Sequence, residues 1–233
     1  MIVGQQKPIE EIIGMIERYQ KILVLGCGAC VTVCHAGGEK EVQTLSAALR
    51  LAFKKQGSEK LITEGTTIRQ CEWEFCEPFV EQIKKADCVL SLACGVGVNF
   101  LAGRIGNKPV FPGLDTSFYG AVVEHGVFVE MCAGCGKCIL HLTGGICPVA
   151  RCAKTIMNGP CGGCKDGKCE LGDRDCAWYL IVQRMKDLGT LEKLYDIIPP
   201  KDWRTARDGG QRKLVREDLR IAATAPTTEE QGR

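Results

Sequence analysis

Cysteine thiols are the residues of this sequence most able to do chemistry, and they occur in closely spaced groups. The chain of 233 residues contains 16 cysteines, and the stretch MCAGCGKC spaces three of them as C-x2-C-x2-C, at Cys132, Cys135 and Cys138. Thiolates bind zinc ions and iron–sulfur clusters. Cysteines that only fill a core have no reason to gather at such gaps in glycine-rich loops. The spacing therefore predicts metal or cluster ligation.

The triplet opens a larger group of nine cysteines that runs from Cys132 to Cys176. C-x2-C-x2-C is typical of the run that holds [4Fe–4S] clusters in bacterial ferredoxins, and Cys147-Pro148 resembles the Cys-Pro that closes that run. Eight residues separate Cys138 from Cys147 where the ferredoxin run has three, which excludes a ferredoxin domain. The third cysteine at the same gap still favours an iron–sulfur cluster for the triplet.

Zinc is the alternative metal for this group, because spacing alone does not separate the two. The C-x2-C pairs at 132/135 and 161/164 could form a ribbon-like site of four thiolates. The six cysteines beyond the triplet are enough to complete its cluster and to supply another metal site. The predicted ligands of the group are Cys132, Cys135, Cys138, Cys147, Cys152, Cys161, Cys169 and Cys176.

Another group of thiols follows the two clearest strand signals of the N-terminal half. Cys27, Cys30 and Cys34, spaced C-x2-C-x3-C, come directly after one apolar run, and a second apolar run ends just before Cys94. In an open α/β sheet, sites form where the carboxyl ends of neighbouring strands meet. We therefore predict a four-cysteine cluster site that is closed by Cys94, with Cys71 as the alternative fourth ligand.

Alternating strand and helix signals must position this group. Apolar runs predict strands at 22–25, 88–92 and 109–111, and apolar residues at helical spacing predict helices at 8–19, 39–55 and 74–85. Such alternation favours an α/β fold with a small Rossmann-like parallel sheet. Neither glycine-rich loop is a dinucleotide fingerprint, since Val31 and Phe100 occupy the place of the third glycine.

The composition of the sequence changes near residue 126, where cysteine and glycine become frequent, and we predict a domain boundary there. Residues 1–125 form the predicted Rossmann-like domain, 126–190 a cysteine-rich, irregular and helical module stabilised by metal, and 191–233 a partly disordered extension. An apolar helix opens at Cys176 and ends at Gly189. The basic stretch 201–220 is interpreted as a solvated tail, and draping on a partner is the alternative.

The other thiols and the histidines receive no ligand role. Cys76 lies in a predicted helix and Cys88 in a predicted strand, and both are interpreted as structural. His35 and His141 follow cysteines closely, yet each is interpreted as a packing or surface residue.

Composition sets the class of protein and its compartment. The net charge of +2 does not favour nucleic acid or a membrane surface as the main partner. The N-terminus lacks the basic start and apolar centre of a secretory signal, and no apolar run approaches the roughly 20 residues of a membrane span. We therefore expect a cytoplasmic protein whose thiols stay reduced.

Four phrases of the sequence resemble one known family. They are GCGACVTVCHAGGEKEV at 26–42, SLACGVGV at 91–98, CAGCGKCILHLTGGICPVARCAKTIMNGPCGG at 132–163 and DCAWYLI at 175–181. They are similar to the MetV-type small subunits of methylenetetrahydrofolate reductase, also described as the methylenetetrahydrofolate reductase C-terminal domain family. That family is expected to accept serine or threonine at position 164, so Cys164 is left out of the predicted ligands.

The resemblance implies an iron–sulfur protein of acetogenic bacteria with two or more [4Fe–4S] clusters, and zinc has also been associated with enzymes of this type. The implied partner is a flavin-containing catalytic subunit. That subunit reduces 5,10-methylenetetrahydrofolate to 5-methyltetrahydrofolate in the methyl branch of the Wood–Ljungdahl (acetyl-CoA) pathway. A further electron-donor protein, a ferredoxin or an NADH-oxidising subunit, completes the implied hetero-oligomer.

A chain with thiol groups but no flavin or nucleotide motif is predicted to relay electrons without catalysing the reaction itself. Clusters pass single electrons, and a flavin can accept them singly and deliver a hydride. Two alternatives stay open. The first is a zinc-binding scaffold subunit that stabilises the flavoprotein without transferring electrons. The second is an enzyme in which the open iron of a three-cysteine cluster acts as a Lewis acid beside His35.

Overall fold

The structure is a computed structural model that describes residues 1–206 and 210–220. The disorder predicted for the last residues falls outside these ranges. Within them, no helix is long and apolar enough to cross a membrane. In chain order the elements are β1 (Ile2–Gln6), α1 (Ile9–Ile16), β2 (Lys21–Cys27), α2 (Cys30–Val33), α3 (Glu39–Lys55), β3 (Leu61–Thr67), α4 (Trp73–Cys76), α5 (Val80–Lys85), β4 (Cys88–Leu92), α6 (Gly95–Arg104), β5 (Val110–Pro112), β6 (Leu114–Glu124), β7 (Val127–Cys132), α7 (Pro148–Arg151), β8 (Cys164–Lys165), β9 (Lys168–Cys169) and α8 (Ala177–Asp187).

A four-stranded parallel sheet in the order β3-β2-β4-β5 forms the core of the N-terminal half. The two central strands are buried on both faces, because α1 and α3 cover one face and α4, α5 and α6 cover the other. Continuous apolar runs such as ILVL in β2 suit this position. The predicted α/β class, a small parallel sheet followed by a cysteine-rich module, is confirmed.

Helix α3 and strand β4 have the bounds that the sequence predicts. The predicted apolar face of α3, which includes Val42, Leu49 and Phe53, is buried against the sheet. At the start of the helix the backbone N–H of Gly38 donates to the Glu41 carboxylate over 3.0 Å, which satisfies a donor at the helix terminus. Local propensity and burial agree here, so the element forms where it is expected.

Two parts of the parallel sheet differ from the sequence expectation. Strand β3 is absent from the prediction, because LITEGTT is an edge strand whose buried apolar content is Ile62 alone. The helix predicted at 74–85 is divided into α4 and α5 by a 3-10 turn at Glu77–Phe79. Pro78 lies in that turn and has no N–H for a helical hydrogen bond.

A three-stranded antiparallel sheet in the order β1-β6-β7 is also absent from the prediction. Ile2 pairs with Tyr119, and Gln6 pairs with Leu114. The first strand of the chain therefore docks on a segment that lies far along the sequence. Strands β6 and β7 form a hairpin, and the predicted boundary at 125/126 falls in its turn. The division into domains stays a prediction.

The cysteine-rich part has a small apolar core of its own around α8. Trp178, Ile181 and Met185 are buried there, and Trp178 Nε1 donates a hydrogen bond of 2.8 Å to the carbonyl oxygen of Ile156. The helix confirms the apolar helix predicted after Cys176. This core anchors the loops that carry the thiols of the module.

Raising the pH above 9 is expected to destabilise the folded chain through Cys88. Burial raises the pKa of the Cys88 thiol from 9.0 to about 12, because the core disfavours the thiolate. The unfolded chain loses this proton first, so the contribution is complete below pH 9.0 and is lost as the pH rises toward 12. The slope is at most about 1.4 kcal/mol of unfolding free energy per pH unit.

Guanidinium unfolding of the reduced protein at about pH 8 and about pH 10.5 measures this loss. The Cys88→Val variant keeps an apolar side chain but lacks the titrating group, so its stability should fall less steeply over the same interval. Equal slopes for the two proteins would show that Cys88 does not carry the effect.

Candidate metal centres

Three thiols from separate segments lie at the carboxyl ends of the central strands. Cys27 is the last residue of β2, Cys94 immediately precedes α6, and Cys71 lies between β3 and α4. Burial raises the pKa of the Cys71 thiol, and thiolate charge at Cys27 and at Cys94 raises this pKa further. The three groups are thus near enough to interact. Cys71, one candidate for the fourth ligand, is near both Cys27 and the other candidate, Cys94, and Cys27 and Cys94 belong to one buried cluster.

The buried amide of Gln70 fixes the loop that carries Cys71. Its Nε2 donates to the carbonyl oxygens of Leu25 and Gly26 at the end of β2, over 2.7 and 3.1 Å. Its Oε1 accepts from Ser91 Oγ of β4 over 2.6 Å. Losing one such partner in the core costs about 1–3 kcal/mol, so this loop is held firmly against both strand ends. A lone glutamine gives no pattern in sequence, and Gln70 is missed there.

Cys34 is engaged by the antiparallel sheet. Its Sγ lies 3.5 Å from the backbone nitrogen and 3.5 Å from the carbonyl oxygen of Gly4 in β1. Cys30 is half-buried at the start of α2. Within the C-x2-C-x3-C group, Cys34 therefore contacts the antiparallel sheet, whereas Cys27 ends a strand of the parallel sheet. The set Cys27, Cys30, Cys34 and Cys94 stays a prediction.

His35 contacts a histidine that the sequence gives no reason to connect with it. The rings of His35 and His125 meet edge to face with centroids 6.0 Å apart. His125 lies in the turn between β6 and β7, so this turn approaches the loop that follows β2. Both histidines are exposed, so this is a contact between surface side chains.

The C-x2-C-x2-C triplet starts at the end of β7. The backbone N–H of Gly134 donates to Cys132 Sγ over 3.3 Å, and that of Ala150 donates to Cys147 Sγ over 3.4 Å. Cys147 caps α7, and α7 packs against β7. This packing brings Cys147 toward the triplet and supports it as the fourth partner. N–H···S bonds of this kind offset the charge of a thiolate.

A C-terminal strap, residues 201–206 and 210–212, rests on the triplet loop. Lys201 Nζ, Thr205 Oγ1 and Arg212 Nη1 donate hydrogen bonds of 3.0, 2.9 and 3.2 Å to three carbonyl oxygens of residues 134–137. The interpretation of this stretch as a solvated tail is wrong for the strap. The polar side chains of the strap donate to backbone carbonyl groups of the triplet loop. A hydropathy pattern does not predict hydrogen bonds of this kind.

The last four cysteines gather around the β8–β9 hairpin. Cys164 and Cys169 are paired across it, and the backbone N–H of Cys176 donates to the carbonyl oxygen of Gly167, in its turn, over 2.8 Å. Cys161 lies near enough to Cys164 to act on it electrostatically. Cys176 belongs to the small core around α8, and Cys152, Cys164 and Cys169 pack against it.

The thiols are all free, and the donor chemistry suits thiophilic metals. Within the ranges that the structure describes, no group of three or more His, Cys, Asp or Glu side chains is placed to hold a metal ion. Backbone N–H groups do point at Sγ atoms of Cys132, Cys147 and Cys169, which is the environment that stabilises ligating thiolates. The ligands of any metal or cluster stay predictions.

The fold and the thiols together define a cysteine-rich α/β protein. Its thiols lie at the carboxyl ends of the parallel strands, on the triplet loop beneath the strap, and around the β8–β9 hairpin. Residues 111–204 match the family model described as "Methylene-tetrahydrofolate reductase C terminal". This segment, from β5 to the strap, is similar to that family, and the resemblance stated from the sequence is confirmed over it. Comparison of the chain with curated proteins and with solved structures finds no match.

Proposed function

We propose that the chain is the iron–sulfur electron-transfer subunit of a two-subunit methylenetetrahydrofolate reductase. The family match supports the enzyme, and the observation that carries the role is the grouping of thiols from separate segments at the carboxyl ends of β2 and β4. In this proposal a ferredoxin or an NADH-oxidising subunit donates electrons. The flavin of a catalytic partner receives them and reduces 5,10-methylenetetrahydrofolate to 5-methyltetrahydrofolate.

The chain's own residues would hold the clusters in fixed positions. In the N-terminal half the candidate ligands are Cys27, Cys30, Cys34 and Cys94, and Cys71 competes with Cys94. In the other half the triplet and Cys147 are the candidates for a second cluster. Bound [4Fe–4S] clusters supply one-electron transfer. Gln70 keeps the Cys71 loop in place, which limits reorganisation around the nearby thiols.

The strap adds shielding and positive charge to the triplet loop. Lys201 and Arg212 place cations beside carbonyl groups that neighbour Cys135 and Cys138. A nearby cation favours the more negative, reduced state of a cluster, and less solvent exposure also changes its potential. The sixteen free thiols suit the reducing cytoplasm in which we propose that the subunit acts.

Anaerobic purification tests the proposal directly. The chain should be coloured, contain iron and sulfide, and give EPR signals of reduced [4Fe–4S] clusters. Alone it should not reduce methylenetetrahydrofolate, and addition of the flavoprotein should create that activity. A colourless protein that stabilises an already active flavoprotein would replace the proposal with the zinc-scaffold alternative, and turnover by the lone chain would contradict both.

Single substitutions identify the ligands in the N-terminal half. Cys71→Ser and Cys94→Ser are compared with Cys76→Ser as the control, because Cys76 is also buried near these thiols but points into the core. Loss of one EPR signal with Cys94→Ser, and its retention with Cys71→Ser and Cys76→Ser, would support the predicted set. The reverse result for Cys71 and Cys94 would show that Cys71 is the fourth ligand.

A further inference from the structure

We propose that the outer edge of strand β3 is an interface at which a second copy of this chain binds. Two copies related by a twofold axis would pair their β3 strands antiparallel and join their parallel sheets into one continuous sheet. The features that carry this interface are the free backbone groups of β3 and the charges of the helices beside it. The interface needs neither a metal nor electron transfer, so it is independent of the proposed function.

Strand β3 has backbone groups without partners along its outer side. The N–H of Leu61 donates to the carbonyl oxygen of Gln20, just before β2, over 2.9 Å. Alternate residues of a strand in a parallel sheet bond to the same neighbour, so residues 61, 63, 65 and 67 face β2. The residues that face away are Ile62, Glu64 and Thr66. Among the described residues, the backbone N–H and C=O groups of Glu64 and Thr66 have no hydrogen-bond partner.

The opposite edge of the parallel sheet, strand β5, is protected against pairing, whereas β3 is not. Strand β5 has only three residues, Pro109 precedes it and Pro112 ends it. Short strands and prolines are common protection for a sheet edge. Strand β3 has seven residues and no proline. Leu61 at its start is 58% exposed and Ile68 just after its end is 62% exposed, so pairing would also cover apolar side chains.

Arg50 of α3 removes the main obstacle to a twofold pairing centred on Glu64. The three outward residues are symmetric about Glu64, so antiparallel pairing would place Glu64 opposite the same residue of the second copy. Like charges in that position are unfavourable. Arg50 Nη2 lies 2.6 Å from the Glu64 carboxylate and neutralises its charge. The same group donates to the carbonyl oxygen of Ile62 over 2.8 Å, and that oxygen can accept a second hydrogen bond.

Helix α3 lies along β3 with opposite charges at its two ends. Glu39 and Gln43 line a cavity of about 280 Å³ together with residues 64–66, toward the carboxyl end of β3. Arg50 contacts the middle of the strand, and Lys54 follows one helical turn later on the same side of α3. In an antiparallel pair of β3 strands, the acidic end of α3 therefore lies beside the basic end of α3 in the second copy.

The other face of the sheet has the same polarity. Along α4 and α5 the acidic residues come first and the basic residues last, namely Glu74, Glu77 and Glu81, then Lys84 and Lys85. A cavity of about 460 Å³ at the amino end of β3 is lined by Leu61, Lys21 and Lys85 among others. A twofold axis perpendicular to the sheet keeps each face on its own side. Both faces are thus self-complementary in charge, which favours a second copy of the chain as the partner.

Charge exchange on α3 tests the interface through analytical ultracentrifugation of the full chain, purified anaerobically. The unmodified chain should sediment as a dimer. Glu39→Lys and Lys54→Glu each place like charges together twice across the twofold axis, so each should raise the dimer dissociation constant at least about tenfold. The double variant restores opposite charges on both copies. Its dissociation constant should return to within about threefold of the unmodified value.

Lys55→Glu is the matched control, and Thr66→Pro tests the backbone pairing. Lys55 lies in the same last turn of α3 but about 100° around the helix from Lys54, so its variant should stay a dimer. Proline at position 66 removes an outward N–H and leaves the hydrogen bonds between β3 and β2 in place, so this variant should be a folded monomer. Circular dichroism and guanidinium unfolding check that each variant is folded.

Several results would overturn the interface. They are a monomeric unmodified chain, a dimer that survives Thr66→Pro, a double variant that dissociates as readily as the single ones, and a loss of the dimer with Lys55→Glu. If the chain is a monomer and Thr66→Pro weakens its binding to the flavoprotein instead, the edge accepts that partner and the second copy is excluded. A chain that lacks iron but stays a dimer would contradict only the proposed electron transfer.

Discussion

Replacing Gly37 with alanine is expected to destabilise the chain by about 3 kcal/mol and to disturb the thiols at the strand ends. A Cβ atom at this position would overlap the carbonyl oxygen of Leu92, at the end of β4, and would lie 2.9 Å from its carbonyl carbon. The obstacle is backbone of a central strand, which cannot turn aside as a side chain can. The loop that contains Gly37 must therefore move away from β4.

The displacement would reach the candidate cluster site directly. The carbonyl oxygen of Gly37 accepts a hydrogen bond of 2.9 Å from the backbone N–H of Cys27, and the Gly37 N–H donates to Val31 over 3.2 Å. Moving Gly37 thus pulls on the cysteine-bearing loop at its start, Cys27, and at its middle, Val31. We expect the variant to bind less iron than the unmodified chain as well as to unfold at lower guanidinium concentration.

Gly14→Ala is the matched control for this prediction. Gly14 lies inside α1, and nothing lies within 4 Å of the position that its Cβ would take. The same chemical change should there stabilise the helix by about 0.5–1 kcal/mol and leave the iron content unchanged. A loss below about 0.5 kcal/mol for Gly37→Ala would show that the loop accommodates the methyl group.

The second large effect is expected at Gly136, where alanine should release the strap from the triplet loop. Gly136 has a φ of 83°, which disfavours alanine, and its Cβ would lie 2.8 Å from the carbonyl carbon of Thr205 while overlapping the oxygen. The strap runs directly over this residue. Alanine therefore adds a collision to the backbone strain, and the hydrogen bond from Thr205 to Cys135 should be lost.

Gly145→Ala separates the collision from the strain. Gly145 has a similar φ of 89° but nothing within 4 Å of its Cβ position, so its variant carries the backbone cost of roughly 1–2 kcal/mol alone. Trypsin should cleave at Lys201, Arg204 or Arg212 about tenfold faster in Gly136→Ala than in Gly145→Ala. Equal cleavage rates would mean that the strap does not depend on its contact with Gly136.

The sequence predicts those elements whose stability is local. Helix α3 and strand β4 have strong apolar patterns and are covered on the expected faces, so their bounds are correct. Strands β1 and β6 have weaker patterns, and most of the side chains of β6 are exposed. These two strands form because they pair with each other. A partner more than a hundred residues away leaves no mark in a local window.

The same distinction explains the candidate sites. The type and spacing of the cysteines identify the loops that could bind metal, since ligation needs several thiolates close together. Which thiols face one another depends on contacts between distant segments. Gln70 places Cys71, β1 engages Cys34, and the β8–β9 hairpin pairs Cys164 with Cys169. None of these contacts follows a periodic pattern.

Pairing of β1 with β6 has a consequence for synthesis of the chain on the ribosome. Ile2 cannot pair until Tyr119 has been translated, 119 − 2 = 117 residues later. At about 5–20 residues per second this delay is about 6 to 23 s. The parallel sheet, which ends at Pro112, has its whole sequence translated earlier. The first strand therefore stays without its partner while the sheet beside it assembles.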